Sequence, residues 1–131
     1  MQSRTVTTVL PAPRDRVFAY LAEVENLPDW ATEFARELKV VDGRHTVVNG
    51  LGEFFFEIRA DRETGVIDML AGPEEGQLAL FPTRVVPLGD DRSAFTFTMF
   101  QWPGQPDELF DSQYASLVRE FENIERRFAS A

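Results

Sequence analysis

The sequence predicts an α+β domain: a seven-stranded antiparallel sheet with a long C-terminal helix and two short helices after the first strand. Three observations predict it. Alternating, β-branched and aromatic runs occupy most of 38–101. The dipeptides Asp42-Gly43 and Asn49-Gly50 divide those runs and suit two-residue type I′ hairpin turns. From Pro106 to Phe128, apolar residues fall at Phe110, Tyr114, Leu117, Val118, Phe121, Ile124 and Phe128, the stripe of one amphipathic helix.

Each element has a local reason. Thr5–Leu10 alternates and is β-branched, so it reads as a strand, and Pro11-Ala-Pro13 stops it. Pro13 suits a first helical turn, where the missing N–H would be unpaired anyway. Val17, Phe18, Tyr20, Leu21 and Val24 then recur at helical spacing over about ten residues. Asn26 reads as the N-cap of a second, shorter helix running through Trp30 to Phe34. The remaining strands are Leu38–Val41, Arg44–Val48, Leu51–Ala60, Gly65–Ala71, Leu78–Leu88 and Ser93–Gln101. A Pro/Gly loop, Trp102–Pro106, leads into the last helix.

The chain has 131 residues, the size of one domain, and no repeat or linker divides 1–131. With no cysteine, disulfides, thiolate metal sites and cysteine catalysis are excluded. Acidic residues outnumber basic ones 22 to 13, for a net charge of −9, which argues against phosphate backbones and anionic lipid as partners. Neither a signal peptide's apolar segment nor a membrane-spanning run is present, so the expectation is a cytoplasmic protein. The twelve phenylalanines point to an aromatic interior.

Turn lengths set which side chains face the helix. Turns at Asp42-Gly43 and Asn49-Gly50 pair Val40 with His45 and His45 with Phe54. Loops at 61–64 and 73–76, and a turn around Asp90-Asp91, pair Ile58 with Ile67, Met69 with Leu80, and Arg84 with Phe97. The resulting inner face is apolar, with Phe54, Phe56, Phe97 and Met99 among its members. Two polar residues stand on it, His45 and Arg84. A buried arginine needs a partner, either an acid on the last helix such as Glu122 or Glu125, or an anionic ligand. His45 reads either as a hydrogen-bonded core residue or as a ligand or acid/base group. Asp68 falls outside, diagonal to Arg59.

Recognisable catalytic motifs are missing. One histidine without cysteine makes a poor zinc set, so no metal is expected. No Gly-x-Ser-x-Gly elbow, Gly-x-Gly-x-x-Gly or Walker loop occurs, and no cofactor is expected. Glu74-Glu75, Asp90-Asp91 and Asp107-Glu108 lie in loops or at a helix start, where solvation or the helix dipole explains them.

The order of elements and several motifs resemble the START/Bet v 1-like helix-grip superfamily, also described as SRPBCC or polyketide cyclase/dehydrase-like. The carriers are Val9-Leu-Pro-Ala-Pro-Arg-Asp-Arg-Val-Phe18, Glu25-Asn-Leu-Pro-Asp-Trp30, Gly65-Val-Ile-Asp68 and Gln113-Tyr-Ala-Ser-Leu117. The resemblance covers essentially the whole chain and is nearest to the small, uncharacterised bacterial members. It implies a sheet wrapped around the C-terminal helix, with a ligand cavity between them. Pocket lining is then expected from Trp30, Phe34, His45, Phe54, Phe56, Arg84, Phe97, Met99, Tyr114, Leu117 and Phe121.

Three readings follow. The first is a binder of a small hydrophobic or amphipathic molecule, with His45 or Arg84 reading its polar end. The second is a cyclase/dehydratase-type enzyme, with His45 as acid/base and Arg84 or Tyr114 steadying an enolate. The third is a protein-interaction module using the acidic surface. A homodimer is a further expectation, because Phe55, Phe81 and Phe100 fall on the outer face.

Overall fold

The computed structural model describes residues 1–129. Its elements are β1 (Ser3–Leu10), α1 (Arg14–Leu21), a 3-10 turn (Val24–Asn26), α2 (Leu27–Trp30), β2 (Glu37–Val41), β3 (Arg44–Asn49), β4 (Gly52–Asp61), β5 (Val66–Gly72), β6 (Ala79–Pro87), β7 (Ser93–Phe100) and α3 (Asp107–Arg127). The seven strands form one antiparallel sheet in the order β1-β7-β6-β5-β4-β3-β2. The helix-grip architecture expected from the sequence is therefore present, with α3 and the 14–35 segment on one face.

The short second helix is shorter than its sequence suggests. It ends at Trp30, so Phe34 lies on an irregular segment and not one helical turn along. Asn26 occupies the N-cap position, but its amide donates to the Tyr20 carbonyl at 2.9 Å instead of capping α2.

Hairpin registers decide what the sheet presents to α3. Val40 pairs with His45, as the Asp42-Gly43 turn predicts, and both turn residues take positive φ. Asn49 pairs with Gly52, so the next turn is Gly50-Leu51 and Val47, not His45, meets Phe54. The Asn49 side chain accepts from Leu51 N–H and donates to the Phe34 carbonyl, which holds it beside the turn. Ile58 pairs with Met69 instead of Ile67. Both slips are by two residues, so no side chain changes face.

The β6 register slips by one, and one is enough to invert a strand. Met69 pairs with Phe81, placing Phe81, Thr83 and Val85 inside and Leu80 and Arg84 outside. Gly72 approaches the Gln77 carbonyl so closely that a Cβ would sit 2.4 Å from it, and the connection between the paired strands takes one more residue than expected. The next turn errs in the opposite direction, with Arg84 opposite Thr96. Phe95, Phe97 and Met99 of β7 therefore return to the inside, as predicted.

Between sheet and helix the aromatics pack on one another. Phe95 stacks on Phe121 with ring centroids 5.4 Å apart, and Trp30 meets both edge-on. Phe81 lies 5.8 Å from Phe97, so it belongs to the core and not to an outer patch. Phe55 is half-buried and Phe100 is exposed. Of the α3 stripe, Phe110, Leu117, Phe121, Ile124 and Phe128 are buried while Val118 faces out. Asp68 stands opposite Arg59 outside, although Arg59 pairs with Glu57.

Candidate functional site

The sheet splits at its third and fourth strands. The β3–β4 ladder runs from Asn49–Gly52 to Thr46–Phe55 and stops there, while β4 stays paired with β5 as far as Asp61–Val66. The β2–β3 hairpin tip at Asp42-Gly43 stands away from β4 and leaves a cleft of about 610 Å³. That lies within the roughly 300–1,000 Å³ typical of small-molecule sites. Phe56, Ile58 and Ala60 of β4 form one wall, and Ala22 and Val24 beyond the end of α1 form another. Asp42 and His45 close the mouth with Glu23.

The electrostatics of the mouth are local and acidic. His45 Nε2 lies 3.7 Å from Glu25 Oε1. A hydrogen bond between the Glu23 and Glu25 carboxyls, reinforced by their mutual repulsion, holds Glu23 above its ordinary pKa, and the same bond holds Glu25 below. These exposed carboxyls and the imidazole offer partners to a polar group near the mouth. Arg44, the nearby cation, is engaged by Glu75 at 3.2 Å and lies over the Phe55 ring.

Of the residues nominated from the sequence, His45 and Phe56 line this cleft. Phe34 packs on Phe56 from behind, with centroids 5.9 Å apart, and Phe54 is the neighbouring inward residue on β4. Trp30, Phe97, Met99, Leu117 and Phe121 belong to the buried core. Tyr114 is half-buried at the other end of α3, beneath the Arg4 guanidinium at 4.8 Å. Arg84 is on the opposite face of the sheet, its Nε donating to the Thr64 carbonyl at 3.1 Å. It meets neither Glu122 nor Glu125; Glu125 instead accepts from Thr8 at 2.7 Å. His45, Arg84 and Tyr114 thus do not converge on one cavity.

Sequence reasoning missed Glu120. It sits three residues after Leu117 and four before Ile124, inside the apolar stripe of α3, and is only 4% exposed. One carboxylate oxygen accepts the backbone N–H groups of Glu33 and Phe34 at 3.0 and 2.9 Å. Burial pushes its pKa up to about 7; the two N–H groups oppose the rise, the Glu33 charge adds to it and Arg119 counters it. Ser116, Arg119 and Asn123 extend the same clamp, the first two to the Glu33 carboxylate and Asn123 to the Trp30 carbonyl. This strip fixes 30–34, and through Phe34 it supports the back of the cleft. The signal in the sequence was a carboxylate at a stripe position.

No family model and no curated protein matches the chain. Solved structures do match in shape. An uncharacterized protein from Bacillus thuringiensis superposes with a TM-score of 0.76 at 13% identity, over 98% of this chain and 100% of that one. The ZhuI aromatase/cyclase from Streptomyces sp. R1128 gives 0.68 at 18% identity, over 95% and 89%. A START superfamily protein from Mycobacterium smegmatis gives 0.67 at 15%, over 96% of each chain. With its strand order and long final helix, the chain carries the START/Bet v 1-like helix-grip fold.

Proposed function

We propose that the protein binds a small hydrophobic or amphipathic molecule in the cleft between β3 and β4. The observation that carries the reading is the cleft itself: about 610 Å³, walled by Phe56, Ile58 and Val24, with Glu23 and His45 lining it and Glu25 beside His45. Apolar contact supplies affinity at roughly 25 cal/mol per Å² buried, and the polar mouth orients the ligand. The similarity to an aromatase/cyclase makes a cyclase-type reaction the natural rival. Binding is the better-supported reading because His45 alone of the three polar groups nominated for catalysis reaches the cleft.

The test is a fluorescence titration with N-phenyl-1-naphthylamine, an uncharged apolar probe. Saturable enhancement is expected, and its loss in Ile58→Trp, a variant that fills the cleft while circular dichroism stays unchanged. No enhancement, or enhancement indifferent to Ile58→Trp, overturns the reading.

A further inference from the structure

Two strand edges face each other across the cleft with matching hydrogen-bond groups. In a hairpin closed by a two-residue turn, the pair flanking the turn exchanges both backbone hydrogen bonds, and bonded pairs alternate with unbonded ones thereafter. Between β3 and β4 the bonded pairs are Asn49–Gly52 and Val47–Phe54, and the next in register is His45–Phe56. Between β2 and β3 they are Val41–Arg44 and Lys39–Thr46, counted from the Asp42-Gly43 turn. Both counts point the His45 amide at β4, and the first points the Phe56 amide at β3. The ladder nevertheless ends one residue short of them, at Thr46–Phe55.

The side chains match as well. Extending the register sets Arg44 opposite Glu57 on the outer face and brings the Asp42 turn up to Arg59. Opposite charges facing one another across two strands favour a register. In the open arrangement Arg44 and Glu57 have other partners: Arg44 Nε lies 3.2 Å from Glu75, and Glu57 accepts from Arg59 on its own strand. Both pairs are exposed, so exchanging them costs little. The separated tip also leaves apolar surface uncovered. Val40, which shares the inner face with His45, is 62% exposed.

We infer that the β2–β3 hairpin is a flap over the cleft: it closes by adding His45–Phe56 and Arg44–Glu57 to the β3–β4 ladder, and a ligand in the cleft holds it open. Paired strands lie about 4.8 Å apart, which leaves no room for a ligand between them, so closure and occupancy exclude one another. The inference rests on the cleft being a ligand site and names what regulates access to it. Apparent affinity then scales with the fraction of protein in the open form.

The experiment combines Arg44→Cys with Glu57→Cys in a chain that has no cysteine of its own. Directly opposed residues in a closed ladder have Cα atoms about 4.5–5.5 Å apart, within the reach of a disulfide. Arg44→Cys with Arg59→Cys is the comparison. Two residues out of register add about 7 Å along the strand and take that pair beyond reach. All three positions are exposed, and circular dichroism checks that each reduced variant is folded. With oxidised glutathione as oxidant, the 44–57 pair should close at least about tenfold faster than the 44–59 pair. Saturating N-phenyl-1-naphthylamine should slow that closure at least about tenfold, because it holds the open form. The oxidised 44–57 protein should no longer bind the probe, and dithiothreitol should restore binding. Equal oxidation of the two pairs overturns the inference, as does probe binding that survives the 44–57 disulfide. The outcomes also separate the two readings. Probe binding without a register-specific disulfide overturns the flap and leaves the ligand site standing. A register-specific disulfide in a protein that fails to bind the probe when reduced overturns the ligand site, and control of access falls with it while the closing hairpin remains.

Discussion

Replacing Glu120 by glutamine should stabilise the protein, increasingly so as pH rises. The carboxyl titrates at about 7 in the fold against an ordinary value of 4.5, chiefly because it is buried. A raised carboxyl pKa means the folded state holds the proton more tightly than the unfolded one. Stability from this group is therefore full below 4.5 and is lost as pH climbs through 7. At about 1.4 kcal/mol per tenfold, the ionised form costs the fold about 3 kcal/mol at high pH. Roughly 2 kcal/mol of that develops between pH 5.5 and 8.5, a window clear of the isoelectric point near 4.5. Glutamine keeps an oxygen for the Glu33 and Phe34 N–H groups without the charge. The assay is urea unfolding of Glu120→Gln and the parent protein across that window. The gap in unfolding free energy should widen by about 2 kcal/mol from the acid to the alkaline end. Glu120→Ala strands both N–H groups and should lose about 2–4 kcal/mol at pH 5.5, where burial of charge is a small cost. A gap between Glu120→Gln and the parent that stays constant with pH, or narrows, refutes the reasoning.

Three further outcomes follow from the packing. Thr46 is 5% exposed and its hydroxyl finds no hydrogen-bond partner among the described residues, so Thr46→Val should raise stability by about 1 kcal/mol in chemical denaturation. Gly65 has φ +79°, and a Cβ there would lie 2.2 Å from the Val85 carbonyl oxygen; Gly65→Ala should cost about 2 kcal/mol or more and broaden the β4–β5 turn signals in NMR spectra. Arg84→Ala should change stability by less than about 1 kcal/mol and leave probe binding intact, since its side chain bonds the Thr64 carbonyl at the surface. A loss of several kcal/mol there would return Arg84 to the interior.

The fold was legible because its signals are periodic. Alternation marked the strands, the α3 stripe marked the long helix, and Asp42-Gly43 is the turn its residues predict. Face assignment failed only at β6, where a loop's length depends on how Gly72 packs against Gln77, a contact between residues with no local sequence signature. That one-residue slip moved Arg84 out and Phe81 in, and so separated Arg84 from His45. The site was less legible. The aromatics nominated from the inner face fill the core, because Trp30, Phe95, Phe97 and Phe121 satisfy one another edge to face. The cleft arises instead from a ladder that ends early at Thr46–Phe55, and residue type carries no mark of where a ladder stops. His45 was visible as the polar residue on an apolar face; its partner Glu25 was not, since it comes from the turn between α1 and α2.

The central claim is that the cleft beside β4 is where a ligand binds. Its most direct test is amide chemical-shift mapping by two-dimensional NMR as N-phenyl-1-naphthylamine is added. Saturable shifts are expected at Ala22–Val24, at His45 and along 56–60, the segments that line the cleft. Shifts centred on Trp30, Phe97 and Leu117, between the sheet and α3, would place the ligand in the core and contradict it, as would a spectrum that does not move.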